Sequence, residues 1–353
     1  MGNDAHAKPI FLPRGVAGPE KLVGYIAEPA GGIEAIDLLA GGPDWRTETD
    51  AWPAIVIEKW LAVVCFARDL PGALQVVALD RSKQGEPAVE SAPLVFPDWV
   101  SAAIIPGELF SYRVSADGRV LIFEWEAHAR YRGGAPPPAS VLAQATRDAA
   151  GIFHVDIETG EVKSLPAQKQ TEISLPAVWR QQSMFSYQMG PSSSWHTEPW
   201  SVDDKFAVII GEVLEDQQSL RLLTWNSKTG QVEDPVALAT GPALVSYVTP
   251  DGRNLLVHSE GAESRAGDSR PWRLFSVITG KRLATLNYEA GAQDACVIDS
   301  NLYYVVEDPA SGHRTDGDLV KYRMKAVDII SAKPLWEREL SEQRTRKPSA
   351  LRQ

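Results

Sequence analysis

One short unit recurs along this chain: an alternating strand, an Asp or Asn, a turn with glycine about four residues later, and a second strand. The copies run from Ile33 to Asp37 with Gly41, Gly42 and Trp45; from Val76 to Asp80 with Gly85; and from Ile152 to Asp156 with Thr159 and Gly160. They continue from Leu222 to Asn226 with Thr229 and Gly230, from Leu274 to Val277 with Thr279 and Gly280, and from Met324 to Asp328 with Ala332 and Trp336. A glycine at that offset fits a tight turn that needs a positive φ, with the acid or amide accepting from the turn's N–H groups. A fixed unit repeated through a chain is the mark of a repeat architecture.

A second hairpin lies between these copies, in which two apolar strands flank a two-residue turn. Its clearest forms centre on Asp117-Gly118-Arg119, Asp203-Asp204-Lys205 and Asp251-Gly252-Arg253, and weaker ones on Glu58-Lys59 and Asp299-Ser300. Two hairpins make a four-stranded antiparallel sheet. Runs such as Phe206 to Ile210 and Leu302 to Val306 are continuously apolar, as a strand covered on both faces requires. The pattern predicts an all-β propeller of four-stranded blades, about six by count, with seven left open. The predicted domain spans residues 21–340. Residues 1–20 form an extension that contributes a closing strand, and 341–353 a mobile basic tail around Arg344 to Arg352. Two wider intervals, Gly133 to Pro138 and Gln168 to Ser194, read as loop insertions, and Ser140 to Ala149 as a short helix beside the first.

The 353 residues are 44% hydrophobic and 23% charged, which supplies a large core and excludes disorder throughout. The net charge of −11 and pI near 5.1 would repel phosphate backbones, so nucleic acid is not an expected partner. No run approaches the roughly 18 apolar residues a membrane-crossing helix needs. Cys65 and Cys296 both sit in apolar strands and read as small buried hydrophobes, leaving the compartment unsettled.

The unit from Ile36-Asp37 through Gly42 to Trp45, echoed by Val327-Asp328 through Lys333 to Trp336, resembles the repeat of quinoprotein-like (PQQ-like) propellers. The Asp-Gly-Arg hairpins resemble those of YVTN and TolB-type propellers. The resemblance covers Lys21 to Leu340 and implies architecture, since such repeats serve enzymes, assembly factors and scaffolds alike. Quinoprotein dehydrogenases of this kind carry eight blades, adjacent cysteines and a calcium, and this chain has no adjacent cysteines, so PQQ is not expected. The resemblance implies a mature bacterial domain, periplasmic or secreted, with Met1-Gly2 as an added start; a native start implies the cytoplasm. A monomer is expected.

In a propeller the loops from second to third strand, and from sheet to sheet, gather at one face. The repeats put His128, His258 and His313 near the ends of second strands and His196 on a sheet-to-sheet loop. The same strand ends carry Asp69, Glu126, Glu212, Glu260, Glu307 and Asp308. Imidazole and carboxylate together suit a divalent cation or an acid–base pair, with Glu126, Glu260 and Glu307 as the candidate metal ligands. The stretch Ser192 to Trp200 places Trp195 beside His196 and Glu198, a combination common in carbohydrate and peptide sites. Arg130-Tyr131-Arg132 could meet an anion. No Gly-x-Ser-x-Gly turn or phosphate-binding loop is present in the sequence. The expected function is therefore a non-enzymatic scaffold that binds a protein, peptide or glycan through His128, Trp195, His196, His258 and His313, without an organic cofactor. The alternative is a metal-dependent hydrolase or lactonase with a carboxylate–histidine site.

Overall fold

The computed structural model describes residues 6–103, 109–129, 139–144, 148–167, 176, 193–214, 217–241, 244–259, 270–288, 292–307, 319–341 and 343–344. The fold is all-β and of the propeller class: among the described residues there are six antiparallel sheets built on a four-strand meander. The first joins β1 (Ile10–Leu12), β2 (Gly15–Ala17), β3 (Val23–Ala27), β4 (Ile33–Asp37) and β5 (Pro43–Thr47) in that order. Residues 10–17, expected as part of an extension, thus supply its first two strands. The second joins β6 (Trp52–Ile57), β7 (Trp60–Phe66), β8 (Leu74–Asp80) and β9 (Glu86–Glu90). The third joins β10 (Phe110–Asp117), β11 (Val120–Ala127), β12 (Ala149–Asp156) and β13 (Val162–Pro166).

In the fourth sheet, β14 (Ser193–His196) and β15 (Trp200–Val202) share one edge of β16 (Lys205–Leu214), followed by β17 (Gln217–Asn226) and β18 (Val236–Gly241). The fifth joins β19 (Leu244–Val248), β20 (Asn254–Ser259), β21 (Arg270–Ser276) and β22 (Arg282–Tyr288). The sixth joins β23 (Ala292–Ile298), β24 (Asn301–Glu307), β26 (Tyr322–Asp328) and β27 (Pro334–Glu339). A separate pairing links β25 (Leu319–Val320) to β28 (Gln343–Arg344), so the first residues of the expected basic tail are strand; 345–353 lie outside the described residues. Two short helices, α1 (Asp98–Ala103) and α2 (Ala139–Gln144), complete the elements. Of the helix expected over 140–149, α2 covers 140–144 and 145–147 lie outside the described residues, while Ala149 pairs with Ala127 as the first residue of β12.

The repeat seen in the sequence is a closing device for each outer hairpin. The side chain of Asp37, Asp156, Asn226 or Asp328 accepts from backbone N–H groups two or three residues on, at 2.7–3.1 Å, and Ser276 does so at 3.2 Å. In the second sheet Asp80 instead caps the 3₁₀ turn Arg81–Lys83, accepting from Ser82 N at 2.9 Å. A further bond, not read from the sequence, recurs in every sheet. The residue after each of these positions donates its N–H to the carbonyl of the first hairpin's turn: Leu38 to Leu22, Arg81 to Lys59, Ile157 to Arg119, Ser227 to Asp204, Val277 to Arg253 and Ile329 to Ser300. The two turns of a sheet are thereby fastened to each other.

The turn glycine serves packing as well. Gly85 has φ +77°, and a Cβ there would lie 2.3 Å from the Trp45 ring of β5; Gly160 has φ +73°, and a Cβ would lie 2.5 Å from the carbonyl oxygen of Glu90 in β9. In both cases the turn of one sheet rests on the outer strand of the sheet before it.

The described chain divides into two compact units, residues 1–169 with 310–324 and 337–353, and residues 170–309 with 325–336. In the first unit, alternate residues of the second sheet face opposite ways. Leu61, Val63, Val77 and Leu79 pack with Val16, Tyr25, Ile33 and Trp45 of the first sheet, while Ala62, Val64, Val76 and Ala78 pack with Tyr112, Val114, Leu121 and Phe123 of the third. Burial on both faces is why these strands read as unbroken apolar runs. Phe96 adds an aromatic knot, edge-on to Phe110, Trp125 and Phe153 at 5.2–5.4 Å. In the second unit, Ala207, Ile209, Leu220 and Leu222 pack with Leu255, Val257 and Phe275, and Leu256, Trp272 and Leu274 pack with Leu302, Tyr304 and Val306.

Candidate functional site

Strand direction gives each sheet two unlike ends. One carries the first-to-second and third-to-fourth turns, which are two to five residues long apart from 227–235 in the fourth sheet and are tied together by the bonds above. The other carries the second-to-third connections and the links between sheets, and these differ from sheet to sheet. Leu214 leads to Gln217 almost directly, while Ala127 and Ala149, adjacent partners in register, are joined through 128–148. Chain that varies in length on a repeated frame is where binding groups are placed without cost to the core.

At that end of the third sheet three polar side chains meet. The tight turn Asp117-Gly118-Arg119 sets the register of β10 on β11, so Ser111 lies directly opposite Glu126. Ser111 Oγ donates to Glu126 Oε1 at 3.0 Å, and His128 Nε2 lies 3.8 Å from the same oxygen. His128 is held by its own N–H, which donates to Leu109 O at 2.8 Å, and Ala129 N donates to Asp148 Oδ1 at 2.8 Å across the start of β12. The His128 side chain is 22% exposed, and its buried Nδ1 has no hydrogen-bond partner among the described residues. The carboxylate sits between hydroxyl and imidazole, the reverse of a nucleophile triad, in which the imidazole must touch the hydroxyl. The arrangement can accept and donate hydrogen bonds to a ligand. Ser111 was legible from the sequence by counting outward from the Asp117-Gly118 turn.

The other candidates are spread out. His196 is within β14, opposite Ile210, rather than on a loop; it is exposed, with Nδ1 2.8 Å from Thr197 O. Serines 193 and 194, read as loop, belong to the same strand, and Trp195 faces Gly211 in register. Glu212 pairs with Arg221 at 2.6 Å. His258, near the end of β20, lies 6.2 Å from Trp272, which is edge-on to Tyr304 at 5.8 Å; Trp272 and Tyr304 are core residues between the fifth and sixth sheets. Glu307 ends β24 and is half-buried. Glu260, Asp308, His313 and Arg130-Tyr131-Arg132 lie outside the described residues. Among the described residues, no three His, Cys, Asp or Glu side chains are grouped as metal ligands, and no helix is long and apolar enough to cross a membrane. Both cysteines are free thiols; burial pushes Cys65 up to about 11 and Cys296 well above its ordinary value.

No family model matches the sequence, and no curated protein matches it. Among solved structures, the computationally designed Ika8 protein is 10% identical, with 97% of this chain and 90% of that chain covered and a TM-score of 0.38. The hydrazine synthase of Kuenenia stuttgartiensis is 13% identical over 93% of this chain and 80% of its own, with a TM-score of 0.34. The Dos1 propeller is 12% identical over 92% and 67%, with a TM-score of 0.26. The fold assignment rests on the sheets themselves.

Proposed function

We propose that this protein is a non-enzymatic propeller scaffold that binds a protein, peptide or glycan through the variable connections at the loop ends of its sheets. The difference between the two ends carries the reading: turns bonded to each other in every sheet and, 227–235 apart, no longer than five residues at one end, connections from two residues to 128–148 at the other. In the first unit the contact residues are Ser111, Glu126 and His128 of the third sheet, with the exposed Phe66 and Leu70 at the loop end of the second. In the second unit they are His196 and His258, with Trp195 from the sequence; the sequence adds His313, which falls among the residues of the first unit. A peptide and glycan array, followed by titration of the hits, tests this. Changing Glu126→Gln with His128→Ala should weaken a hit at least tenfold, while Lys83→Ala and Lys228→Ala, in the third-to-fourth turns, should leave it unchanged. Equal weakening by both pairs, or by the turn pair alone, would remove the loop ends as the binding surface.

A second reading, a metal-dependent hydrolase or lactonase, is supported by the Glu126–His128 pair, a carboxylate and an imidazole 3.8 Å apart at a loop end. Thermal melts with Ca²⁺, Mn²⁺ or Zn²⁺ decide it: a metal held by Glu126 raises Tm in wild type and not in Glu126→Gln, and no rise with any of the three ends the reading.

A further inference from the structure

The outer hairpin of the sixth sheet runs on past the sheet. β25 stands before β26 and β28 after β27, and they pair with each other through Leu319 with Arg344 and Val320 with Gln343. Among the described residues they join none of the six sheets. Leu340 is buried and gives its N–H to Tyr322 O at 2.8 Å, so residues 319–322, 338–341 and 343–344 make one arm. All of them belong to the same compact unit as the first sheet. A two-stranded ribbon this short is marginal in water, so its place must be held by other contacts.

The first sheet supplies them. Arg338 donates from Nη2 to Glu34 Oε2 at 2.7 Å and from Nη1 to Gly41 O at 3.1 Å. Ser341 N donates to Glu28 Oε2 at 2.8 Å, and Ser341 Oγ accepts from Ala30 N at 3.0 Å. Arg14, in the turn between β1 and β2, has its guanidinium 5.8 Å from the centre of the Tyr322 ring. Glu28 and Ala30 stand in the connection from β3 to β4, so Ser341 rests on the loop end of the sheet, while Arg338 reaches back to the turn between β4 and β5.

We infer that residues 338–341 are a latch, which holds the arm on the first sheet and lets go as one unit while the sheets stay folded. Each of the bonds from Arg338 and Ser341 to the first sheet has a side chain at one end, in place of a backbone ladder, so release breaks few bonds and bares little beyond Leu340. The ion pair is its firmest part. The side chains of Arg338 and Glu34 are 15% and 11% exposed, and a buried charge that loses its partner is left uncompensated. The pair of Arg323 with Glu337 joins two residues of the hairpin itself and is more exposed, so it does not hold the arm to the first sheet. Release uncovers Glu28 and the connection that carries it. That a ligand then meets this loop end rests on the proposed function; the latch itself does not.

Amide exchange of the full-length protein, followed by NMR in low urea and without ligand, tests the latch whether or not the loop ends bind anything. With intrinsic rates divided out, Leu340 and Ser341 of the wild type should share one opening. Their protection should agree within about threefold, lie at least tenfold below that of the best-protected amides of β7 and β8, and depend far less on urea. Glu34→Gln should lower the protection of both by at least tenfold and by a common factor, and Glu337→Gln by less than twofold. If Glu34→Gln does not fold, the wild-type comparison decides alone. Leu340 and Ser341 matching β7 and β8 in protection and urea dependence, unequal protection of the two, or equal losses in the two variants would overturn the inference.

Discussion

Gly85 and Gly118 both adopt a positive φ, yet only one should be costly to replace beyond its backbone. At Gly118 nothing lies within 4 Å of an added Cβ, so Gly118→Ala carries the left-handed backbone penalty alone, about 1 kcal/mol. At Gly85 the same change also drives a methyl into the Trp45 ring, adding an overpacking cost and bringing the total to about 2–4 kcal/mol. Urea midpoints of the two variants should separate accordingly, and equal shifts would show that the turn does not rest on β5. The thiols make a second prediction at this scale. With Cys65 raised from 9.0 to about 11, its thiolate fraction near neutral pH is about a hundredfold below that of an unperturbed thiol. Alkylation of folded protein by iodoacetamide should be slower than that of unfolded chain by at least tenfold at both cysteines. Rapid labelling of either would contradict their burial.

At the level of elements, the outer hairpin depends on one oxygen per turn. Partial burial acts against ionisation of Asp156, but the N–H groups of Glu158 and Thr159 and the charge of Arg119 outweigh it, and the carboxyl is held low. Its contribution is present above the ordinary carboxylate value and is lost as pH falls through the folded one. Asn226 fills the same position in the fourth sheet with a side chain that does not titrate. Asp156→Asn should therefore keep the turn and flatten the acid limb of a Tm profile measured between about pH 5 and pH 2, and an unchanged limb would remove Asp156 as a contributor. The same chemistry explains what was legible in the chain. Asp37, Asp156 and Asn226 act on N–H groups two and three residues away, so their turns are written locally, and the register of β10 on β11 follows from Asp117-Gly118. The bonds from Arg338 Nη2 to Glu34 Oε2 at 2.7 Å and from Ser341 N to Glu28 Oε2 at 2.8 Å were not legible, because each joins residues at opposite ends of the chain. β14 was hidden for a related reason: Ser193 and Ser194 have loop-like composition, and the edge of β16 makes them a strand.

Among the described residues, six sheets share one plan and differ most at one end, which under the proposed function assigns stability and recognition to separate places. The six-fold repetition was legible because it rests on short-range turn signals; Ser111 opposite Glu126 can likewise be counted out from the Asp117-Gly118 turn, whereas the approach of His128 to Glu126 is seen only in the folded sheet. An insertion experiment tests this division most directly. A six-residue Gly-Ser segment is placed either between Asp69 and Leu70, both exposed in a second-to-third connection, or between Thr159 and Gly160 in a third-to-fourth turn, and Tm is measured for each. The account predicts a shift of no more than about 2 °C for the first, since lengthening a surface connection costs little. For the second it predicts a fall of more than about 5 °C, since that insertion breaks the turn and lifts it from the neighbouring strand. Equal shifts at the two sites, or a larger one at Asp69, would contradict it.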